Sequence, residues 1–448
     1  MMQSTIGENG YFRTDGQVIN DYRLEEEIIG TEKEIKIVDD IMGSGKSTWA
    51  INYINANKEK KFLCIVPLLE ECDRYKTNTE IDIIDPEKWG SKWKHFRWLV
   101  ESEKNIVTTH SLIQKMDLDM LELLKSKEYV LMIDECLDVL SPYKISADDV
   151  KIIFNEHLVS IDEDGFLIWN EDKKPYKGVY GDIKRLCSFK SLMGFKKENS
   201  DELARILMWN FPVDFFKCFE ESYIFTYLWD GSIQKSYFDI HGIGYKKYML
   251  NDKQLIEHNV ELEYQKRRAV VGLIDIYEGK FNNIGAKIGK SNPLSKSWYL
   301  DKKKKNISIF SQLKNNTENY FRTVTKTNSD DNMYTVFNGF QKYVKGRNYS
   351  RDVVNFVACN ARGTNKYKAK KALAYLINFF ITPDIKKFVE HYDFNFDEDL
   401  YALSAMLQWI WRSQIRDGKP IQIYIPSERM RDLLKHWMKE CSQIDKAA

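Results

Sequence analysis

The 448-residue chain lacks several features that would narrow its class at once. Its seven cysteines include no C-x-x-C pair, and their spacing fits neither a zinc ribbon nor a disulfide framework. Free thiols point to a reducing, intracellular setting, so cytoplasmic residence is the expectation. The net charge is only +1, so no global field calls for nucleic acid, and any basic surface must be local. No apolar run approaches bilayer length; the longest, over residues 62–69, is far too short. Residues 1–10 are polar and hold no signal-peptide core. No membrane role is expected, and no internal repeat or long low-complexity stretch is visible.

What is present is a soluble balance of 43% hydrophobic and 30% charged residues. The length exceeds one ordinary core, so two or three domains are expected. Aromatics reach 13%, with 11 Trp, enough to fill cores and to leave some for stacking on bases.

The chain is organised around Asp40-Ile41-Met42-Gly43-Ser44-Gly45-Lys46-Ser47-Thr48. Residues 35–38 before it form a short buried strand pattern, and residues 49–54 after it read as helix. Strand, glycine loop, helix is the context of a phosphate site. Gly43 and Gly45 let the backbone curl so that successive N–H groups face one anion. The following helix adds the positive end of its dipole. Gly43 through Thr48 are therefore the expected phosphate cradle, with Lys46 on the β- and γ-phosphates and Ser47 on Mg²⁺. Asp40 stands where the general pattern has its first glycine.

Residues 62–67 and 105–109 read as further parallel strands, each followed by a helix starting near Glu70 and His110. Residues 129–133 run straight into Asp134 and Glu135. Downstream of a P-loop, such a strand supplies a magnesium-shell carboxylate, Asp134, and a water-polarising one, Glu135. Residues 141–220 interrupt the rhythm and read as an insertion, with a β-hairpin over 158–169 and helical patterns over 182–221. Residues 223–229 return to an apolar strand.

In the second half, residues 270–276 read as a buried strand and 279–306 as loops carrying the basic run 302–305, most simply a solvated face. Residues 333–345 have helical periodicity, 353–359 read as a strand, and a helix is expected over 366–380. Between the last two lies the loop of Arg362, Gly363, Thr364 and Asn365. Residues 397–416 predict one long helix, with Gln408, Arg412 and Arg416 four apart on one face. Arginine suits a reach across a cleft to a γ-phosphate, since its charge is permanent and its donors are forked. A strand over 421–425 and an amphipathic helix close the chain.

With these residues in view, the chain resembles the superfamily 2, DEAD/DEAH-like helicases, of a phage or mobile-element type, over residues 35–425. Met42 to Ser47 looks like motif I, Pro67 to Arg74 like motif Ia, and Thr108-Thr109-His110 like motif Ib. Asp134-Glu135-Cys136 looks like motif II, Thr226 like motif III, Arg362 to Asn365 like motif V, and Gln408 to Arg416 like motif VI. Two positions depart from the family: Leu137 stands where motif II carries His or Asp, and Arg416 lies eight residues after Gln408 rather than seven.

The resemblance implies an α/β chain of two tandem RecA-like domains with mainly parallel sheets, over 1–235 and 236–448, the first carrying the insertion. It implies ATP and Mg²⁺ between the domains, with Lys46, Asp134, Glu135, Gln408, Arg412 and Arg416 in catalysis. Gly363 would touch the nucleotide; Arg74, Thr109, Arg362 and Thr364 would touch nucleic acid, single-stranded DNA before RNA. The activity implied is an ATP-dependent helicase or translocase in phage replication, working in the host cytoplasm with replication proteins as candidate partners. The alternatives are a packaging or assembly ATPase and a nucleotide-switched binding protein. A nucleoside kinase ranks last, given the second RecA-like half.

Overall fold

In the computed structural model, residues 34–441 are described except 89, 171–175, 197–204, 288, 290 and 360–365. The short apolar segments of the first half lie side by side. They are β1 (Ile35–Asp39), β2 (Lys61–Val66), β3 (Ile83–Ile84), β4 (Asn105–Thr109) and β5 (Tyr129–Asp134). Their alternating side chains feed two cores: Leu63, Ile65, Leu131 and Ile133 enter one, while Phe62, Cys64, Val130 and Met132 enter the other. Both faces are covered, so these strands read as unbroken apolar runs.

The insertion contributes β6 (Leu140–Pro142), β7 (Val159–Ile161), β8 (Leu167–Trp169), β9 (Leu192–Lys196) and β10 (Arg205–Asn210). The hairpin expected at 158–169 is the antiparallel pair of β7 and β8. Among the described residues, the helical reading of 182–221 holds for the helix Gly181–Ser188 and the 3-10 turn Val213–Lys217; between them β10 pairs antiparallel with β9 on one side and β6 on the other. β11 (Glu221–Thr226), β12 (Tyr245–Asn251) and β13 (Gln254–Glu257) return to the main sheet. That eight-stranded sheet has the order β13-β12-β1-β11-β5-β2-β4-β3 and is parallel except at β12–β13. It therefore runs to Glu257, past the boundary expected near 235.

The helix Val260–Val271 leads into a second, all-parallel sheet of β14 (Ile274–Ile276), β15 (Asn332–Thr335), β16 (Ala372–Tyr375) and β17 (Ile421–Tyr424), in the order β14-β17-β16-β15. This is the second RecA-like lobe. Several local readings fail here. Val270 and Val271 end a helix rather than start a strand. The expected helix at 333–345 is β15 and, further on, a single helical turn, Gln341–Val344, and that at 366–380 is replaced by β16; both strands are buried on two faces. An apolar run without alternation does not distinguish a buried strand from a helix. The strand expected at 353–359 is a helical turn, Asp352–Asn355, followed by a single parallel bridge of Phe356 with Tyr334; the buried Asn355 amide donates to the Ser329 carbonyl (2.5 Å) and the Asn332 carbonyl (3.0 Å). The basic run 302–305 ends the helix Lys296–Lys305, where cations suit the dipole.

The helix Pro383–His391, from the second half, packs back onto the insertion through Phe388 on Phe195, with ring centroids 5.5 Å apart. Among the described residues, no helix is long and apolar enough to cross a membrane.

Candidate active site

Open α/β sheets bind ligands beyond the C-terminal ends of their strands. Here β11 sits between β1 and β5, with Asp39 opposite Thr226 and Asp134 opposite Phe225. The ladder continues one residue beyond each neighbour: Asp40 N–H donates to Thr226 O (3.1 Å), and Glu135 N–H to Phe225 O (2.9 Å). The glycine loop and the acidic pair are thus held to one strand end from its two sides.

The loop adopts the expected curl. Gly43 and Gly45 have φ of 81° and 93°, left-handed values that other residues rarely take. α1 (Lys46–Ala56) begins directly after Gly45. Half-buried Lys46 donates through Nζ to the carbonyls of Asp40 and Ile41, and desolvation of its ammonium pushes its pKa down. Ser47 Oγ donates to Asp134 Oδ2 at 3.2 Å, so hydroxyl and carboxylate converge as a magnesium site requires. Burial, then the charges of Glu135 and Glu71, push the Asp134 carboxyl up to about 7. A site with more carboxylate than local cation fits a divalent metal. Glu135 has φ 64°, a strained value that concentrates at functional positions.

Asp40, where a glycine was expected, is fully buried. Its Oδ1 accepts from Ile41 N–H (2.8 Å), and its Oδ2 from Leu250 N–H (3.1 Å) and Lys266 Nζ (2.7 Å). A glycine would leave β12 and the helix Val260–Val271 without this anchor.

The second lobe supplies the opposite wall. A cleft of about 320 Å³ is lined by Gly43, Gly45, Lys46, Ser47, Thr48, Asp134 and Glu135 on one side and by Gln408, Trp411, Arg412 and Arg416 on the other. These last do not lie along one helix, as the spacing predicted. The helix Glu398–Ile410 stops because Ser413 Oγ donates to Ile410 O (2.7 Å), and a 3-10 turn, Gln414–Asp417, follows. Arg412 is buried while Arg416 is exposed. Trp411 lies so close over the P-loop that a Cβ on Gly43 would sit 2.7 Å from its ring.

Other expected residues separate. Ser44 closes the loop through its N–H to Ile41 O (3.2 Å) and is not among the cleft's lining. Arg74, expected at nucleic acid, lines the same cleft as the glycine loop and donates to Thr48 Oγ1 (3.2 Å). Thr109 Oγ1 lies 3.1 Å from Ser111 Oγ, at an exposed position. Arg362, Gly363 and Thr364 lie outside the described residues. The sequence reading missed Glu71, Tyr227 and Trp411 on the cleft wall, and His110, whose Nε2 lies 2.9 Å from Asp134 O. Glu71 had a signal, an acid in the first turn of the helix after β2. Trp411 had none beyond lying within the 408–416 segment.

Fold and site together define a P-loop protein of two tandem RecA-like lobes facing one cleft. Within that class the chain belongs to the YonV family. It is 35% identical over 428 residues to the SPbeta prophage-derived uncharacterized protein YonV of Bacillus subtilis (strain 168), covering 91% of this chain and 99% of that one. Residues 268–438 match the YonV C-terminal Rossmann-like domain, and residues 140–209, the insertion, match the YonV middle domain. Similar solved structures include an XPD helicase (TM-score 0.47, 11% identity, covering 92% of this chain and 95% of that one) and S. tokodaii Xpd4 (TM-score 0.43, 11% identity, 90% and 94%). Neither TM-score reaches 0.5.

Proposed function

We propose that this chain is an ATP-dependent motor on nucleic acid, working on single-stranded DNA in preference to RNA during phage replication or recombination. The observation that carries the reading is that Lys46, Ser47, Asp134 and Glu135 from one lobe and Gln408, Arg412 and Arg416 from the other line one cleft. The prophage origin of the relative supports the phage setting.

In this reading the loop amides and Lys46 bind the triphosphate, and Lys46 exchanges its backbone carbonyl partners for phosphate oxygens. Ser47 and Asp134 hold Mg²⁺, which when bound neutralises charge on the transferring phosphoryl group. Glu135 orients the attacking water and accepts its proton. Arg412 stabilises the charge that builds on the γ-phosphoryl oxygens, with Gln408 and Arg416 beside it. Arginine from a facing lobe makes hydrolysis depend on lobe closure, so the ATP cycle becomes a cycle of motion along a strand that touches both lobes.

The test is the ATP hydrolysis rate with single-stranded, forked and duplex DNA and RNA, using Lys46→Ala as the blank. Stimulation by nucleic acid, greatest for single-stranded DNA and weakening with salt, is expected. A rate that stays flat across the panel overturns the motor reading.

A further inference from the structure

Glu71 is the one carboxylate on the cleft wall to which the catalytic scheme gives no task. It lies in the first turn of α2 (Leu69–Asn78), the helix that follows β2. β2 and β5 are neighbours in the sheet, with Ile65 opposite Ile133. The start of α2 therefore overhangs Asp134 at the end of β5. Glu71 is only 8% exposed, and its Oε2 is buried without a hydrogen-bond donor. The ion-pair partner, Arg74 Nη1, stands 3.6 Å from that oxygen, beyond hydrogen-bond reach. Arg74 spends another of its donors on Thr48 Oγ1 (3.2 Å).

A buried carboxylate oxygen left without a donor is costly, and such an atom marks a place where a donor from outside the chain is received. The neighbours say which kind. Ser47 Oγ and Asp134 Oδ2 converge on the same cleft, in the pairing that holds magnesium. Among the described residues, no three acidic, His or Cys side chains gather closely enough to bind a metal directly. Mg²⁺ keeps several of its waters and takes only one or two protein carboxylates, so those waters need acceptors of their own.

We propose that Glu71 is a positioning residue for the cation, with Oε2 accepting a hydrogen bond from a metal-bound water while Arg74 holds its carboxylate toward Thr48 and the phosphates. This deepens the nucleotide reading and rests on it. Outer-shell acceptors of this kind typically change metal affinity by about 10- to 100-fold. Two plainer roles compete: complementing the dipole of α2, and pairing with Arg74 alone. Both would alter stability and leave metal affinity untouched.

The experiment uses the full chain, a non-hydrolysable ATP analogue, and Mn²⁺ as the probe, with bound Mn²⁺ read by electron paramagnetic resonance. Analogue binding is also measured in EDTA, and melting temperature is recorded. Glu71→Gln should weaken Mn²⁺ binding by about 10-fold or more, while metal-free analogue binding stays within about twofold. Glu70→Gln, at an exposed neighbouring position, should match the native protein. Unchanged Mn²⁺ affinity in a folded Glu71→Gln protein overturns the proposal. If that variant does not fold, Glu71→Asp, which keeps the charge and withdraws it by one methylene, is held to the same criterion. Absence of analogue binding in the native protein as well would instead bring down the nucleotide reading itself.

Discussion

The two walls of the cleft are built on different principles. The first-lobe wall stands on strand ends: Asp40 and Glu135 are both hydrogen-bonded to the end of β11, so the glycine loop and the acidic pair are fixed by one ladder. The second-lobe wall stands on the frayed end of a helix, where Ser413 breaks the run and a 3-10 turn carries Arg416. A ladder holds its geometry through many short bonds that form or fail together. A helix end holds only through its cap and the packing of its own lobe. The glycine loop and the acidic pair are therefore prebuilt within one lobe, while the guanidinium groups are placed by how the two lobes meet. For the proposed motor, that division of labour is what gating by closure needs.

The contrast can be broken from either side. The largest effect is expected at Arg412, buried in the second wall. Arg412→Ala should lower the nucleic-acid-stimulated ATP turnover by about 10³-fold or more, with ATP binding retained, as measured by steady-state kinetics and equilibrium binding. Arg416→Ala, at an exposed position, should cost less than Arg412→Ala. The reverse order would give the γ-phosphoryl contact to Arg416 instead. Next comes Glu135→Gln on the first wall, expected to lower turnover by about 10²- to 10⁴-fold while leaving ATP bound. Loss of binding in that variant would contradict a water-orienting role.

The support beneath the first wall should respond in stability. Lys266→Met leaves the buried Asp40 carboxylate without its cation and is expected to cost about 3 kcal/mol in urea unfolding. No larger than this is a pH slope at His241, which lies 2.9 Å from Asn210 of β10 and so ties the first lobe to the insertion. Burial pushes its pKa down from 6.5 to about 4. The unfolded chain then binds more protons below pH 6.5, so this contribution is complete above pH 6.5 and is lost as pH falls toward 4, about 3 kcal/mol at most. Urea midpoints at pH 7 and pH 4.5 should show the loss, and His241→Gln should flatten it.

Legibility follows the same divide. The P-loop, Asp134 and Glu135 could be read because strand, turn and carboxylate lie within a few residues, and local spacing sets their geometry. The strands of the first sheet were found for a related reason, since each is a short apolar run bounded by polar turns. β3, only two residues long, and the β12–β13 hairpin gave too little apolar signal. In the second lobe, β15 and β16 were read as helix because residues buried on both faces carry no alternation. Gln408, Arg412 and Arg416 line the cleft together, but not on the one continuous helix that their spacing predicts, since Ser413 interrupts it.

By itself, the sequence determined that a glycine-bearing turn follows a buried strand, that an acidic pair ends another, and that the chain alternates strand and helix in two halves. These depend on neighbours a few residues apart, where backbone sterics and hydrogen-bond reach decide the outcome. Only the tertiary structure decided that β11 enters between the loop strand and the acidic strand, that Asp40 anchors Lys266, and that Trp411 and the arginines meet the glycine loop. Those contacts join residues as far apart as positions 40 and 266, or 43 and 411, where chain connectivity sets no distance and packing of whole elements does.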